Sequence, residues 1–213
     1  MVITWYGHSC FKIQSGQLTL LIDPFDSSIG LRSPRGKTDI VFVTHKHYDH
    51  NYLESVDQDT FVIDGPGEYE VKGVACRGIS SFHDASEGKD RGLNTIYLFE
   101  MEGIKVCHLG DLGHKLANGQ LEALEEVDIL FVPVGGKYTL DGEEAAEVVY
   151  QIEPKIIIPM HYKVPGLKIS LGDATDFLKE MGVSGKEATP KITIKKKELP
   201  ENGTVMVMSV GSA

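Results

Sequence analysis

The chain runs through Ile40-Val41-Phe42-Val43 and then directly into Thr44-His45-Lys46-His47-Tyr48-Asp49-His50. A short, unbroken apolar run reads as a strand buried on both faces, so the sheet that contains it needs cover on each side. His45, His47, Asp49 and His50 follow as ligand-type side chains at the end of that rigid element. Imidazole and carboxylate together suit zinc, and also manganese or iron. One ion needs about four ligands, and a single loop cannot surround it. His45 and His47 alternate along the chain and can point together. Asp49 and His50, past a turn, can serve a second ion.

Partners are therefore expected at other strand ends, and three residues qualify. His83 ends the apolar stretch Val74–Phe82. Asp111 follows Lys105–His108, and His161 follows Ile156–Ile158. Taken singly, His83 or His161 reads as an ordinary polar residue. The run at 45–50 makes them candidates, and the seven together suffice for two metals sharing a bridging carboxylate.

Strand-like runs also occur at Val2–Trp5, Cys10–Ile13, Leu18–Ile22, Phe61–Ile63, Tyr69–Val71, Asn94–Glu100, Ile129–Val132, Ile192–Ile194 and Thr204–Met208. Helices are expected at Gln120–Glu126, behind the capping box Asp141–Glu144, and through Ala174, Phe177, Leu178 and Met181. Strands dominate the first half, and strands alternate with helices in the second. Two packed sheets with helices outside satisfy both patterns. The 213 residues carry no linker or low-complexity segment, and a single domain spanning 1–213 is expected. Lys195-Lys196-Lys197 is the one charge run and reads as a solvated strand end.

The 21 basic and 31 acidic residues give a net charge of −10, which disfavours nucleic-acid binding. Three cysteines without a CxxC fit a reducing compartment. There is no signal-like start and no long apolar window, so the expectation is a cytoplasmic protein without membrane attachment.

These residues resemble the metallo-β-lactamase superfamily. His45-Lys46-His47-Tyr48-Asp49-His50 matches its HxHxDH signature, and His83, Asp111 and His161 match in order. Trp5-Tyr6-Gly7-His8-Ser9, Leu21-Ile22-Asp23-Pro24, Gly135-Gly136-Lys137-Tyr138-Thr139 and Pro159-Met160-His161-Tyr162 resemble one branch. That branch holds small hydrolases related to the L-ascorbate-6-phosphate lactonases. The resemblance implies an α/β fold, a four-layer αββα sandwich with metals at one edge. It assigns His45, His47 and His83 to a first metal and Asp49, His50 and His161 to a second, with Asp111 bridging.

Asp23 is expected to orient the ligand loop rather than bind metal. Its other reading is a turn former before Pro24. His8 reads as a proton donor or substrate ligand, or as a histidine bonded to backbone between strands. Asn94 matches the branch pattern as a substrate-binding residue. Tyr138 and Thr139 precede a helix N-terminus that can meet an anion or can simply be capped. His108 reads as a strand residue and His114 as a loop residue.

Two divalent ions, zinc first and manganese or iron after it, can hold a water between them and lower its pKa towards neutrality. The expected reaction is attack by that bridged hydroxide, assisted by Asp49 or His8, on an ester, lactone, amide or phosphodiester. The expected partner is a small anionic substrate, although no separate basic anchor for phosphate is visible. No G-x-S-x-G elbow offers a rival nucleophile. The alternatives are a non-catalytic metal-binding or regulatory protein and a diiron redox protein on the same fold.

Overall fold

A computed structural model describes residues 1–183 and 187–211. In chain order the strands are β1 (Val2–Gly7), β2 (Cys10–Ser15), β3 (Leu18–Ile22), β4 (Ile40–Phe42), β5 (Phe61–Ile63), β6 (Gly67–Val71), β7 (Val74–Phe82), β8 (Leu93–Met101) and β9 (Ile104–His108). Then come α1 (Asn118–Leu124), β10 (Ile129–Pro133), α2 (Gly142–Ile152), β11 (Ile156–Met160), α3 (Thr175–Glu180), β12 (Lys191–Thr193) and β13 (Thr204–Val205). One sheet has the order β12-β1-β2-β3-β4-β5, the other β13-β11-β10-β9-β8-β7-β6.

The sandwich expected from the sequence is present. Its interior is aromatic: Phe11 and Phe131 meet across the sheets with ring centroids 4.1 Å apart, and Phe42 lies 5.1 Å from both Tyr97 and Phe99. Cover is uneven. α2 packs on β10, α1 on β7 and α2, and α3 on α2, so the α-helices serve the second sheet. Segments 24–38 and 51–57 carry short 3-10 turns instead, and they bring Ile29, Leu31, Leu53 and Val56 to the core. Among the described residues no helix is long and apolar enough to cross a membrane.

Local chemistry explains the main boundaries. α2 begins where the Asp141 carboxylate accepts from Glu144 N–H at 2.9 Å and the Glu144 side chain accepts from Asp141 N–H at 3.1 Å. It turns Ala145, Val148 and Val149 inward. α1 begins two residues earlier than the apolar pattern suggests, because the Gln120 side chain accepts from Ala117 N–H at 3.0 Å. The Lys195–Lys197 run is exposed just past β12, as expected, but it does not continue the strand: Lys196–Glu198 form a 3-10 turn, and Lys196 Nζ donates to Asp128 Oδ2 at 3.0 Å. The last strand stops at Val205, with one isolated bridge from Thr189 to Met208 beyond it.

The same corner is built in both sheets. Before β4, Asp39 N–H donates to Thr19 O, and its carboxylate accepts Thr19 N–H at 2.9 Å and Lys72 Nζ at 2.7 Å. Before β10, Asp128 does the same with Lys105 N–H at 3.0 Å and Lys155 Nζ at 2.7 Å. Each corner starts parallel pairing: β3-β4-β5 in one sheet, β9-β10-β11 in the other.

Strand sense then decides where the site lies. β1 and β3 are both antiparallel to β2, so they share a direction with β4. β7 and β9 are both antiparallel to β8, so they run with β10 and β11. His8, Asp23, His45, His83, Asp111 and His161 each follow the C-terminal end of one of these like-directed strands.

Candidate metal centre

Two cross-sheet ties sit directly beneath the histidine loop. Thr95 N–H donates to Thr44 O at 2.8 Å. The Tyr97 hydroxyl donates to Val43 O at 2.9 Å and approaches Ile63 O at 3.1 Å. Both fix the exit of β4 against β8, and burial pushes the Tyr97 phenol up from its ordinary value.

Asp111 is the centre of the cluster. Its Oδ2 lies 3.0 Å from His161 Nε2, 3.2 Å from both His50 Nε2 and His83 Nε2, and 3.9 Å from His45 Nε2. Asp111, His50, His83 and His161 come together from four loops, and each is 2% exposed or less. Gly110 permits this approach. Its φ is +59°, and a Cβ there would come 2.3 Å from Asn94 Oδ1. His47 is more exposed and completes the outer side, its ring centroid 4.6 Å from that of His45 and 5.0 Å from that of His83.

The surrounding bonds orient the imidazoles. His50 Nδ1 lies 3.0 Å from Asp23 Oδ2, and His83 Nδ1 lies 3.1 Å from Tyr138 O. Thr44 donates its hydroxyl to Asp23 Oδ2 at 2.7 Å, which leaves its lone pairs to receive His45 Nδ1–H at 3.0 Å. Thr44 N–H also donates to Asp23 Oδ1 at 2.8 Å. With Nδ1 occupied in all three, each Nε2 is the nitrogen left for a cation. Asp23 therefore ties Thr44 to His50 at the base of the loop.

The donor set passes a physical test for a metal. His45 Nε2 and His50 Nε2 are buried with no hydrogen-bond partner, a costly state that a cation would relieve. Candidate ligand atoms within 4.8 Å of one another occur as His45/His47/His83, as His8/His50/His161 and as Asp23/His45/His50. Electrostatics agree. Burial lowers His45 well below the ordinary imidazole value and also lowers His47. For Asp111, burial works to raise the carboxyl, but His161 and His50 outweigh it and hold it well below its ordinary value. For His50, burial pulls down, while Asp111 and Asp23 prevail and raise it.

His8 is fully buried, and its Nε2 lies 3.1 Å from Asp49 Oδ2. Its ring centroid is 4.6 Å from His50 and 4.4 Å from His161, and its carbonyl accepts His161 N–H at 3.0 Å. Burial lowers its pKa to about 4, and the neighbouring His161 adds to the shift. His8 is thus behind the ligand layer, in contact with Asp49, rather than in the cavity. Asp49 is held below its ordinary value because His8 and His50 together overcome its burial.

The residues expected at the substrate divide. Tyr138 lines the open cavity beside His47, Asp49 and His83. Asn94 does not: it is 1% exposed, and its amide is bonded to Ser81 Oγ, Leu109 O and Asp111 N–H. Thr139 has a local bond to Leu140 O at 3.3 Å, and the N-terminus of α2 is capped by Asp141. His108 bonds Ser9 O and Gly110 N–H, and His114 accepts Phe82 N–H, both as structural residues.

Sequence reasoning passed over Ser9, whose hydroxyl donates to Asp111 Oδ1 at 3.2 Å, and Thr44. Both lie within the quoted motifs, beside His8 and His45, so adjacency was their signal. Arg91, which lines the cavity, had none, because it sits in a polar turn.

Two mixed sheets whose like-directed strands deliver histidines and carboxylates to one edge define the metal-binding sandwich of the metallo-β-lactamase class. Residues 2–161 match the family described as "Beta-lactamase superfamily domain", and the chain belongs to that family. It is similar to a UPF0173 protein of Pyrococcus furiosus, 33% identical over 85% of this chain and 90% of the relative. A UPF0173 metal-dependent hydrolase of Thermoplasma acidophilum is 31% identical over 75% of this chain and 82% of its own. Among solved structures, a proposed Zn-dependent hydrolase of the metallo-beta-lactamase superfamily from Thermotoga maritima is 42% identical. It covers 97% of both chains with a TM-score of 0.80.

Proposed function

We propose that this protein is a metal-dependent hydrolase that cleaves an ester, lactone or phosphodiester of a small molecule. The observation that carries the reading is the convergence of His50, His83 and His161 on Asp111 Oδ2 at 3.0–3.2 Å, with buried imidazole nitrogens left unpaired. His45, His47 and His83 would hold one divalent cation and Asp49, His50 and His161 a second, with Asp111 between them. Zinc suits this donor set first, and manganese or iron also fit. Cations held by these residues would supply Lewis acidity, the chemistry that lowers the pKa of a bound water and stabilises charge on an attacked oxygen.

The chain's own residues supply orientation and proton handling. Asp23, Thr44 and the Tyr138 carbonyl hold His45, His50 and His83 with Nε2 inward. Ser9 and Asn94 hold Asp111 at its side chain and backbone. Asp49, with one oxygen near His8, is placed to accept a proton at the cavity floor and pass it towards a buried imidazole. The kinship with named metal-dependent hydrolases supports the class, and the lactonase-like motifs favour lactones and related cyclic esters. We take the compartment to be the cytoplasm and the partner to be a small molecule rather than nucleic acid or membrane.

Metal analysis tests the site. The native protein is expected to hold two equivalents, and Asp111→Ala or His47→Ala to hold fewer while remaining folded. Two full equivalents in both variants would reject the assignment. A panel of esters, lactones and phosphodiesters, assayed with zinc, manganese and iron forms, tests the reaction, and a loaded protein that turns over none of them would stand as a non-catalytic or redox relative.

A further inference from the structure

Over the ligand cluster opens a cavity of about 390 Å³. Its floor includes buried Asp111, His83 and His161, and its rim includes exposed Tyr48 and Arg91. The turn that bears Arg91 joins β7 to β8 and is wound around one carboxylate. Asp84 accepts the N–H groups of Ser86 at 2.7 Å, Gly88 at 2.9 Å, Asp90 at 3.1 Å and Arg91 at 2.8 Å. Asp84 is itself buried and directly follows His83.

The guanidinium is positioned as well as its backbone. Arg91 Nη2 donates to Lys137 O at 3.2 Å, and its Cζ lies 5.4 Å from the Tyr138 ring centroid. Lys137 Nζ lies 5.2 Å from the same ring. The next carbonyl along, Tyr138 O, is the acceptor for His83 Nδ1. One short loop thus braces both a ligand imidazole and a rim cation. Among the described residues no carboxylate pairs with the Arg91 guanidinium, although Asp90 shares the rim. Its remaining N–H groups are free to face the cavity. On a chain of net charge −10, a braced cation at the mouth of a site attracts anions locally.

We infer that Arg91 is the anion anchor of this site, binding a carboxylate or phosphate that the substrate carries away from the bond to be cut. A guanidinium fork matches both groups with two parallel hydrogen bonds. The inference rests on the hydrolase reading and narrows its substrate class to esters, lactones or phosphodiesters bearing a second anionic group. It would supply the basic anchor for phosphate that is not visible in the sequence.

The test uses the metal-loaded protein and two esters differing in one charge, mono-para-nitrophenyl glutarate and para-nitrophenyl butyrate. The native protein should favour the glutarate by about ten-fold in kcat/KM. Arg91→Gln should bring that ratio close to one, mainly through KM, and Arg91→Lys should restore part of it. No native preference, or an unchanged ratio in Arg91→Gln, overturns the inference. Binding gives an arm independent of turnover: calorimetric affinity for inorganic phosphate and for glutarate should each weaken about ten-fold in Arg91→Gln. Weakening for one anion alone identifies the group the anchor reads, and weakening for neither overturns it. If these esters and the wider panel of lactones and phosphodiesters all go uncleaved, the hydrolase reading fails, and the binding arm still decides the role of Arg91.

Discussion

At the start of β10, Asp128 receives Lys155, Lys196 and the N–H of Lys105; three residues past the end of β9, Asp111 faces four imidazoles. The two carboxylates are 5% and 2% exposed, and they lie at opposite ends of neighbouring parallel strands. Asp128 is matched by flexible lysines that complete its bonding and reach solvent, and Asp39 repeats the arrangement in the other sheet. Around Asp111 the partners are rigid and buried, and some of their nitrogens remain unpaired. One end of the sandwich is closed electrostatically. The other is held open for a cation, because a metal site must present lone pairs that the protein itself does not satisfy.

Removing each acid should therefore damage different properties. Asp111→Asn keeps the size of the side chain but removes its charge. Hydrolysis should fall more than about 100-fold, beyond the cost of losing a supporting bond, with the far-ultraviolet circular dichroism spectrum unchanged; steady-state rates measure it. Asp128→Ala should leave metal content at the native level and cost about 2–3 kcal/mol in urea unfolding. That figure discounts a buried ion pair for lysines that are largely in solvent. Loss of metal in Asp128→Ala would erase the distinction between the ends.

Tyr97→Phe probes the tie between the two sheets beneath the histidine loop. Its hydroxyl joins β8 to the exit of β4, so its removal should cost about 1–1.5 kcal/mol and loosen hydrogen exchange at Thr44 and His45. The smallest effect concerns pH. At Asp128 burial works to raise the carboxyl, but Lys155, the Lys105 N–H and Lys196 outweigh it, and at Asp39 Lys72 dominates; both sit below the ordinary 3.8. Such groups stabilise the fold above that ordinary value, and the contribution is lost as pH falls through the depressed one. The stability gap between native protein and Asp128→Asn should thus be full at pH 7 and shrink below about pH 4. A gap that widens in acid would contradict the ion-pair account.

Much of this was legible before folding. Ile40–Val43 announced a doubly covered strand, and HxHxDH announced a cluster of ligand-type side chains, since both signals are local: one is periodicity, the other a density of residue types. His83 and His161 were readable only as strand-end residues in the company of that run. Asn94 was misplaced because an amide that supports Asp111 from behind and one that meets substrate look identical in a linear chain. Lys196 is exposed, as its sequence context suggests, but its bond to Asp128 was not legible, because the two are 68 residues apart.

The amino-acid order by itself determined the strands, the helices with apolar stripes, the ligand types and the acidic character, since each depends on neighbours within a few residues. Folding decided which strand ends share an edge, which imidazole nitrogens face inward, and that Arg91 lines the same cavity as the histidine cluster. Those outcomes depend on strand direction and on contacts between the two sheets, and the bonds that set them join groups tens of residues apart.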